Sequence, residues 1–224
     1  MHPGTLIVIL LVLCAVGAVV AAVAVRHGNA RRRVSREEFA RQIGAREHDP
    51  RSGTRPSFGH FPEKDHYTGV PFTYAMEFTR SGVPVVASEV RSGGPNTQVR
   101  HVGTVQVPSG LPVDAPPLMV GEHWRWVIDP DTLQRVRALD GFPDSRIRAM
   151  CGDEEFARRV VTPELAAVFA AHRRMRCMPT VTFEQGVIST SVGMRLAPES
   201  LLRGTDMLIE MAAILRRQQG YQCD

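Results

Sequence analysis

The feature that most constrains this chain is an uncharged apolar stretch at Thr5–Val25, which reads TLIVILLVLCAVGAVVAAVAV. A helix of this length, at about 1.5 Å per residue, measures about 30 Å, which is the thickness of a bilayer's hydrocarbon core. The stretch therefore predicts a transmembrane anchor over residues 1–26. Its position decides which surroundings the rest of the chain can meet.

The charges on the two sides of this stretch predict how the anchor is oriented. No lysine or arginine precedes it, whereas five arginines follow it closely: Arg26, Arg31, Arg32, Arg33 and Arg36. Because positive residues beside a membrane helix tend to stay in the cytoplasm, we expect the N-terminus outside and the soluble domain inside the cell membrane. We also expect Arg26, Arg31, Arg32 and Arg33 to meet anionic lipid headgroups, at about 1 kcal/mol for each basic residue.

The first residues allow two alternative interpretations. A secretory signal peptide would be cleaved near Ala22–Ala24, but such peptides have a basic start and a shorter apolar run. A lipoprotein signal at Cys14 lacks the same basic start and has the bulky Leu13 where a small residue is expected. An uncleaved single-pass anchor is the main interpretation, and an exported domain is the alternative.

Net charge and cysteine spacing exclude several classes of function. The chain has 27 Lys plus Arg against 23 Asp plus Glu, for a net charge of +4, and the excess is concentrated just after the apolar stretch. Without a recognisable module, nucleic acid is not an expected partner. The four cysteines, Cys14, Cys151, Cys177 and Cys223, have no CxxC or zinc-ligand spacing. Cys14 lies inside the apolar stretch, and the three remaining cysteines are typical of a reducing compartment, although one disulfide plus a free thiol also fits three.

Residues 27–66 are predicted to be a basic juxtamembrane segment and a linker. Within them, Val34–Ile43 has Ser35 and Glu38 at the spacing of a capping box, which predicts a short helix. Gly44–His66 contains three prolines and few aliphatic residues, which is typical of a linker. The soluble domain is then expected over residues 67–224.

Alternation of apolar and polar residues predicts a sheet in the first half of this domain. The clearest strand runs through Phe72–Phe78, and turn residues separate it from strands at Val83–Val90 and about residues 98–107, which together make a meander. Further elements are predicted as short strands at Leu118–Val120, Trp124–Ile128 and Arg146–Cys151, and a helix from Asp129 that has Leu133, Val136 and Leu139 on its inner side.

The second half of the domain combines helices with a hairpin. Helices are predicted to begin at Asp153 and at the Thr-Pro-Glu sequence of residues 162–164. A hairpin is predicted across Gln185 and Gly186, and a final helix from Pro198 to about Gln219 should cover a sheet face. The predicted fold class is α+β: an N-terminal transmembrane helix, then a mainly antiparallel sheet with inserted helices and a C-terminal helix packed on it.

No motif in the sequence predicts a catalytic, cofactor-binding or metal-binding residue. The glycines have neither phosphate-loop nor dinucleotide-loop spacing, and no histidine pair has helical metal-ligand spacing. His101 and His123 lie near strand patterns, and Cys151 precedes a predicted helix start, where a reactive thiol can occur. We interpret Cys151 as a buried residue at a strand end, and an enzyme assembled from these three residues as an alternative function.

The order of elements along the chain resembles a family of proteins, although no specific motif is shared. An N-terminal helix, a basic flank, strands, the Thr-Pro-Glu-Leu helix start at residues 162–165, a hairpin and a closing helix are similar to uncharacterised single-pass membrane proteins of high-GC actinobacteria. The strands with their closing helix also resemble a pleckstrin-homology-like half-barrel, from which the helical insertion between Asp153 and Arg174 departs. The tether and the lack of a catalytic signature predict a cytoplasmic binding or scaffolding domain with an unknown protein partner.

Overall fold

The computed structural model describes residues 20, 23, 34–61, 72–92, 100–121, 137–139, 148–172, 180–193 and 196–220. The chain divides into two compact units, residues 1–44 and residues 45–224. In the first unit, residues 34–42 form helix α1. Since residue 34 is already helical, Ser35 lies within α1 and not at the predicted cap.

The predicted anchor lies mostly outside the described residues. Only Val20 and Val23 of Thr5–Val25 are described, and both are helical and exposed. Among the helices that the structure describes, none has the length and hydropathy needed to cross a bilayer. The transmembrane helix therefore stays a prediction.

The second unit is built on a sheet of nine described strands, all paired antiparallel. The strands are β1 Arg46–His48, β2 Tyr74–Arg80, β3 Val83–Ser92, β4 Arg100–Pro108, β5 Leu118–Gly121, β6 Arg137–Leu139, β7 Arg148–Cys151, β8 Val181–Glu184 and β9 Val187–Gly193. Their order in the sheet is β1-β2-β3-β4-β9-β8-β5-β7-β6. The antiparallel sheet predicted from alternation is confirmed.

Tight two-residue turns connect β2 to β3 and β8 to β9, at the positions that the sequence predicts. The β2–β3 turn has positive φ angles at Ser81 (51°) and Gly82 (77°), and the β8–β9 turn has them at Gln185 (51°) and Gly186 (75°). Two consecutive residues with positive φ match the right-handed twist of the paired strands. The predicted meander and the predicted hairpin are both confirmed.

The described part of the second unit has a 3-10 helix at Pro50–Ser52 and three α-helices: α2 Glu154–Val160, α3 Pro163–His172 and α4 Pro198–Gly220. The Asp153 carboxylate accepts from the N–H of Phe156 at 3.0 Å, and the Thr162 hydroxyl faces the N–H of Leu165 at 3.4 Å. Both contacts satisfy helix-end donors, as the residue types predict. Asp206 of α4 forms a bidentate ion pair with Arg80 of β2, at 2.5 and 2.8 Å.

The main core lies between α3, α4 and one face of the sheet, which confirms an α+β fold with a C-terminal helix packed on the sheet. A Cβ added at Gly204 of α4 would lie 2.6 Å from Val192 of β9, so this helix meets the sheet closely. The sheet supplies buried apolar side chains at Met76, Phe78, Val85, Ala87, Val105, Val107, Leu118, Val120, Val181, Phe183 and Ile188. Helices α3 and α4 supply Leu165, Phe169, Leu201, Leu208, Met211 and Leu215.

Two predictions about local structure differ from the observed fold. Leu139 was expected on a helix from Asp129, but residues 137–139 form β6 and pair with β7, because a free strand edge outweighed a short helical pattern. The sequence predicts a linker over residues 44–66, yet β1 joins the sheet, and Ser57 and His60 hydrogen-bond to side chains of the sheet. The structured domain therefore begins before residue 67. The strand predicted at Trp124–Ile128 lies outside the described residues.

Candidate functional site

The sheet face opposite α4 presents a row of side chains that is partly polar. Glu77 on β2 pairs with Val86 on β3, Val86 pairs with Gln106 on β4, and Gln106 pairs with Ser189 on β9. Residues directly opposite in antiparallel strands point to the same face. Glu77 and Gln106 therefore lie two strands apart on one surface, on either side of the buried Val86.

A short segment crosses this surface, and we call residues 57–61 the strap. At its start, the Glu77 carboxylate accepts two hydrogen bonds from Ser57, one from the backbone N–H at 3.2 Å and one from the hydroxyl. A carboxylate accepts strongly from such paired donors. Ser57 itself is exposed, so the strap lies at the surface.

Gln106 holds the strap two strands further on. Its Oε1 accepts from the N–H of His60 at 2.7 Å, and its Nε2 donates to the carbonyl of His60 at 2.8 Å. The side chain of Gln106 is buried, with a residue exposure of 3%, so these two bonds satisfy a carboxamide that would otherwise be costly to bury. Because both bonds go to main-chain atoms, this contact does not depend on the side chain of His60.

The length of the strap matches the distance that it spans. Ser57 to His60 is three residues, or about 10 Å when extended, and two strand spacings in a sheet are also about 10 Å. Beyond Gln106, the His60 ring reaches the β8–β9 turn, with Nδ1 3.2 Å from Gln185 Oε1 and Nε2 4.0 Å from Glu184 Oε2. The strap then ends at Phe61, whose ring centroid lies 5.1 Å from that of Phe72.

Gly59 is required by the path of the strap. Its φ of 116° is a conformation that residues with a Cβ rarely adopt, and an added Cβ would lie 3.1 Å from Gln106 Oε1. Any other residue at this position would strain the backbone and push the Gln106 carboxamide away.

Electrostatics at the start of the strap favour an ionised carboxylate. Burial alone would raise the pKa of Glu77, but the hydrogen bonds from Ser57 and the adjacent His48 imidazole outweigh it and lower the pKa below its usual value. His48 Nε2 lies 3.3 Å from Glu77 Oε2, and the His48 side chain is 1% exposed. Among the residues that the structure describes, neither ring nitrogen of His48 has a hydrogen-bond partner, so its contact with Glu77 is electrostatic.

This group of side chains is arranged to hold a segment of the chain. Glu77 lies between Ser57 and His48, so the imidazole contacts the carboxylate and not the hydroxyl. A carboxylate with a lowered pKa is a weak base towards a serine hydroxyl. The chemistry of the site is therefore hydrogen bonding to an extended chain.

The structure does not bring the predicted candidates His101 and Cys151 together. His101 is on β4 and Cys151 ends β7, and the three strands β9, β8 and β5 lie between them. Four strand spacings are about 19 Å along the sheet. Cys151 is buried at a strand end, as predicted, and its burial raises the pKa of its thiol. His123 lies outside the described residues.

Two apolar features lie on the helical side of the domain. Helices α3 and α4 are antiparallel and leave a shallow groove, which is lined by alanines and closed at one end by the Arg217–Glu164 ion pair at 2.5 Å. Beneath them, a gap of about 10 Å³ is lined by apolar side chains that include Phe169, Phe183 and Met211. A volume of about 10 Å³ is the least that one water needs, so this gap does not fit a ligand.

No protein-family model matches the sequence, and no curated protein matches it. In fold, the chain is similar to the crystal structure of the mycobacterial trehalose monomycolate transport factor A, TtfA. The TM-score is 0.55, the sequence identity is 10%, and the match covers 81% of this chain and 92% of that one. A likeness at this identity concerns the fold.

Proposed function

We propose that this chain is a membrane-tethered binding protein that presents its α+β domain at the cytoplasmic face of the membrane and takes part in the transport of a long-chain glycolipid. In this proposal the domain acts by binding lipid or partner proteins and not by catalysis. The observation that carries it is the combination of an anchor-length apolar stretch with a fold similar to that of a transport factor.

The tether is supported by length and charge. Thr5–Val25 has the length of a bilayer's hydrocarbon core, and basic residues follow it closely. By the positive-inside rule this arrangement supports a cytoplasmic domain in a single-pass protein. Arg26, Arg31, Arg32 and Arg33 would then lie beside anionic headgroups and hold the start of the domain near the membrane.

The cargo class is supported by the fold neighbour alone. The name of TtfA gives that protein a part in the transport of trehalose monomycolate, and the likeness spans most of both chains. The same likeness supports an actinobacterial type of membrane protein, as the sequence layout predicts. Because a shared fold does not imply a shared ligand, the cargo needs a direct test.

Binding, in preference to catalysis, is supported by the arrangement of polar side chains. His101 and Cys151 lie too far apart in the sheet to share a reacting atom. The group formed by Ser57, Glu77 and His48 is arranged to hold a chain segment. A membrane-tethered enzyme remains the alternative, and turnover by the purified full chain in hydrolase and transferase screens would favour it.

The test is to identify what co-purifies with the full chain in mild detergent from an actinobacterial host. The matched control is Met1–Arg36 fused to a fluorescent protein, which reports the lipids and proteins that the anchor alone retains. We expect mass spectrometry to find a long-chain glycolipid or a membrane transport protein enriched on the full chain over the control. Identical lipid and protein profiles would contradict the proposal.

A further inference from the structure

We propose that the surface beneath the strap is a peptide-binding groove, which residues 57–60 of this chain fill and from which an extended segment of a partner protein displaces them. The groove consists of Glu77, the buried Val86 and Gln106 on one sheet face, together with Gln185 in the adjoining β8–β9 turn. The segment that it accepts has a hydroxyl residue two positions before a glycine, as in Ser57-Phe58-Gly59-His60. The groove lies within the second unit, so its test is independent of the topology and the cargo.

The groove contacts the main chain of the strap and selects two of its residues. The Gln106 carboxamide accepts from the N–H of His60 and donates to its carbonyl. A carboxamide can bind any extended main chain in this way. Glu77 adds selectivity for a hydroxyl residue, because it accepts from the N–H and the side chain of Ser57 together. Gly59 adds a second selection, since a Cβ there would meet Gln106 at 3.1 Å.

The strap has the properties of a replaceable ligand. Ser57 and His60 are exposed, whereas Gln106 beneath them is buried. The strap is held by the hydrogen bonds of Ser57 and His60 and by one ring contact at Phe61, and such hydrogen bonds are individually worth little against water. If the strap lifts, the Gln106 carboxamide and the Glu77 carboxylate keep the same positions on rigid strands and can bind another chain in the same way.

The adjoining sheet edge is only partly covered by β1. Strand β1 has three residues and pairs only with Ala75, Met76 and Glu77, so it covers less than half of the seven-residue β2. The segment before the strap is therefore attached to the sheet by the three-residue pairing of β1 with β2. An extended partner segment at this edge would use the main-chain recognition typical of strand addition.

The experiment measures binding of a fluorescent peptide with the sequence of residues 54–61, TRPSFGHF, to the full chain in detergent. The variant Gly59→Ala strains the chain's own strap and leaves the groove intact, so we expect it to bind the peptide at least about tenfold tighter than the unmodified chain. Gly53→Ala is the matched control, because Gly53 also has a positive φ but no atom within 4 Å of an added Cβ. It should bind like the unmodified chain.

Two further arms identify the groove as the binding site. Adding Gln106→Ala to the Gly59→Ala variant should abolish the gain, and a peptide with alanine in place of its serine should lose it as well. If Gly59→Ala binds the peptide no better than Gly53→Ala, or if the gain survives Gln106→Ala, the proposal is overturned.

Hydrogen exchange on the unmodified chain covers the case in which Gly59→Ala fails to fold. The amide of His60, which donates to the Gln106 side chain, should exchange at least about 100-fold faster than the amides of β3 and β4, because a replaceable strap opens without global unfolding. An exchange rate as slow as that of β3 and β4 would mean that the strap never leaves the groove, and it would overturn the proposal.

Discussion

Gly204→Ala makes a sharp test of how α4 packs on the sheet, since two effects of opposite sign meet at one atom. Within a helix, alanine is favoured over glycine by about 1 kcal/mol. Here the new Cβ would lie 2.6 Å from Val192 Cγ1, which is closer than Cβ atoms approach non-bonded atoms in proteins. It would lie 3.6 Å from Thr190 Cγ2, which is an ordinary van der Waals distance. Overpacking of this kind costs about 1–3 kcal/mol. We expect Gly204→Ala to lower the free energy of unfolding by about 1 kcal/mol.

The effect of Gly204→Ala on the free energy of unfolding should change sign when Val192 is shortened. In a Val192→Ala background the clashing methyl is gone, so Gly204→Ala should raise the free energy of unfolding by about 1 kcal/mol. Urea unfolding of the four proteins in this double-mutant cycle gives a coupling energy, expected at about 2 kcal/mol. If Gly204→Ala stabilises both backgrounds equally, α4 does not approach β9 as described.

Three other predictions concern single side chains. The lowered pKa of Glu77 means that its ionised carboxylate stabilises the fold; this stabilisation is present above about pH 4.5 and is lost as the pH falls through the folded pKa. Urea unfolding from about pH 6 to about pH 3 should show this loss. Glu77→Gln should make the free energy of unfolding depend less on pH over the same range. Arg80→Met should cost no more than about 1 kcal/mol in the same assay despite the bidentate pair with Asp206, because both side chains are more than a third exposed. Cys151 should react with a thiol reagent only on unfolding, as mass spectrometry would show, and labelling at the rate of an exposed thiol would contradict its burial.

Much of the sheet could be predicted because its signals are local. The alternation in Phe72–Phe78 and the turn residues after it define β2 and β3, and the helical spacing after Pro198 defines α4. In each case the residues that decide the structure lie within one element or one turn. Leu139 shows the limit of this approach, because a short apolar spacing fits a helix and a buried strand equally well.

The candidate site could not be predicted because its contacts are distant in sequence. Ser57 and Glu77 are 20 residues apart, and His60 and Gln106 are 46 apart. The proline-rich, polar composition around the strap is typical of a linker, and nothing local indicates that a sheet lies beneath it. The one signal within the strap is Gly59, whose need for a positive φ only the structure reveals.

The central claim is that the α+β domain works on the cytoplasmic side of the membrane, and reporter fusions at the C-terminus of the full chain test it most directly. We predict that a reporter active only in the cytoplasm is functional and that one active only after export is silent. A matched variant with His2 and Gly4 replaced by arginine and Arg31, Arg32 and Arg33 by glutamate should reverse both signals. An export signal from the unmodified chain would contradict the account.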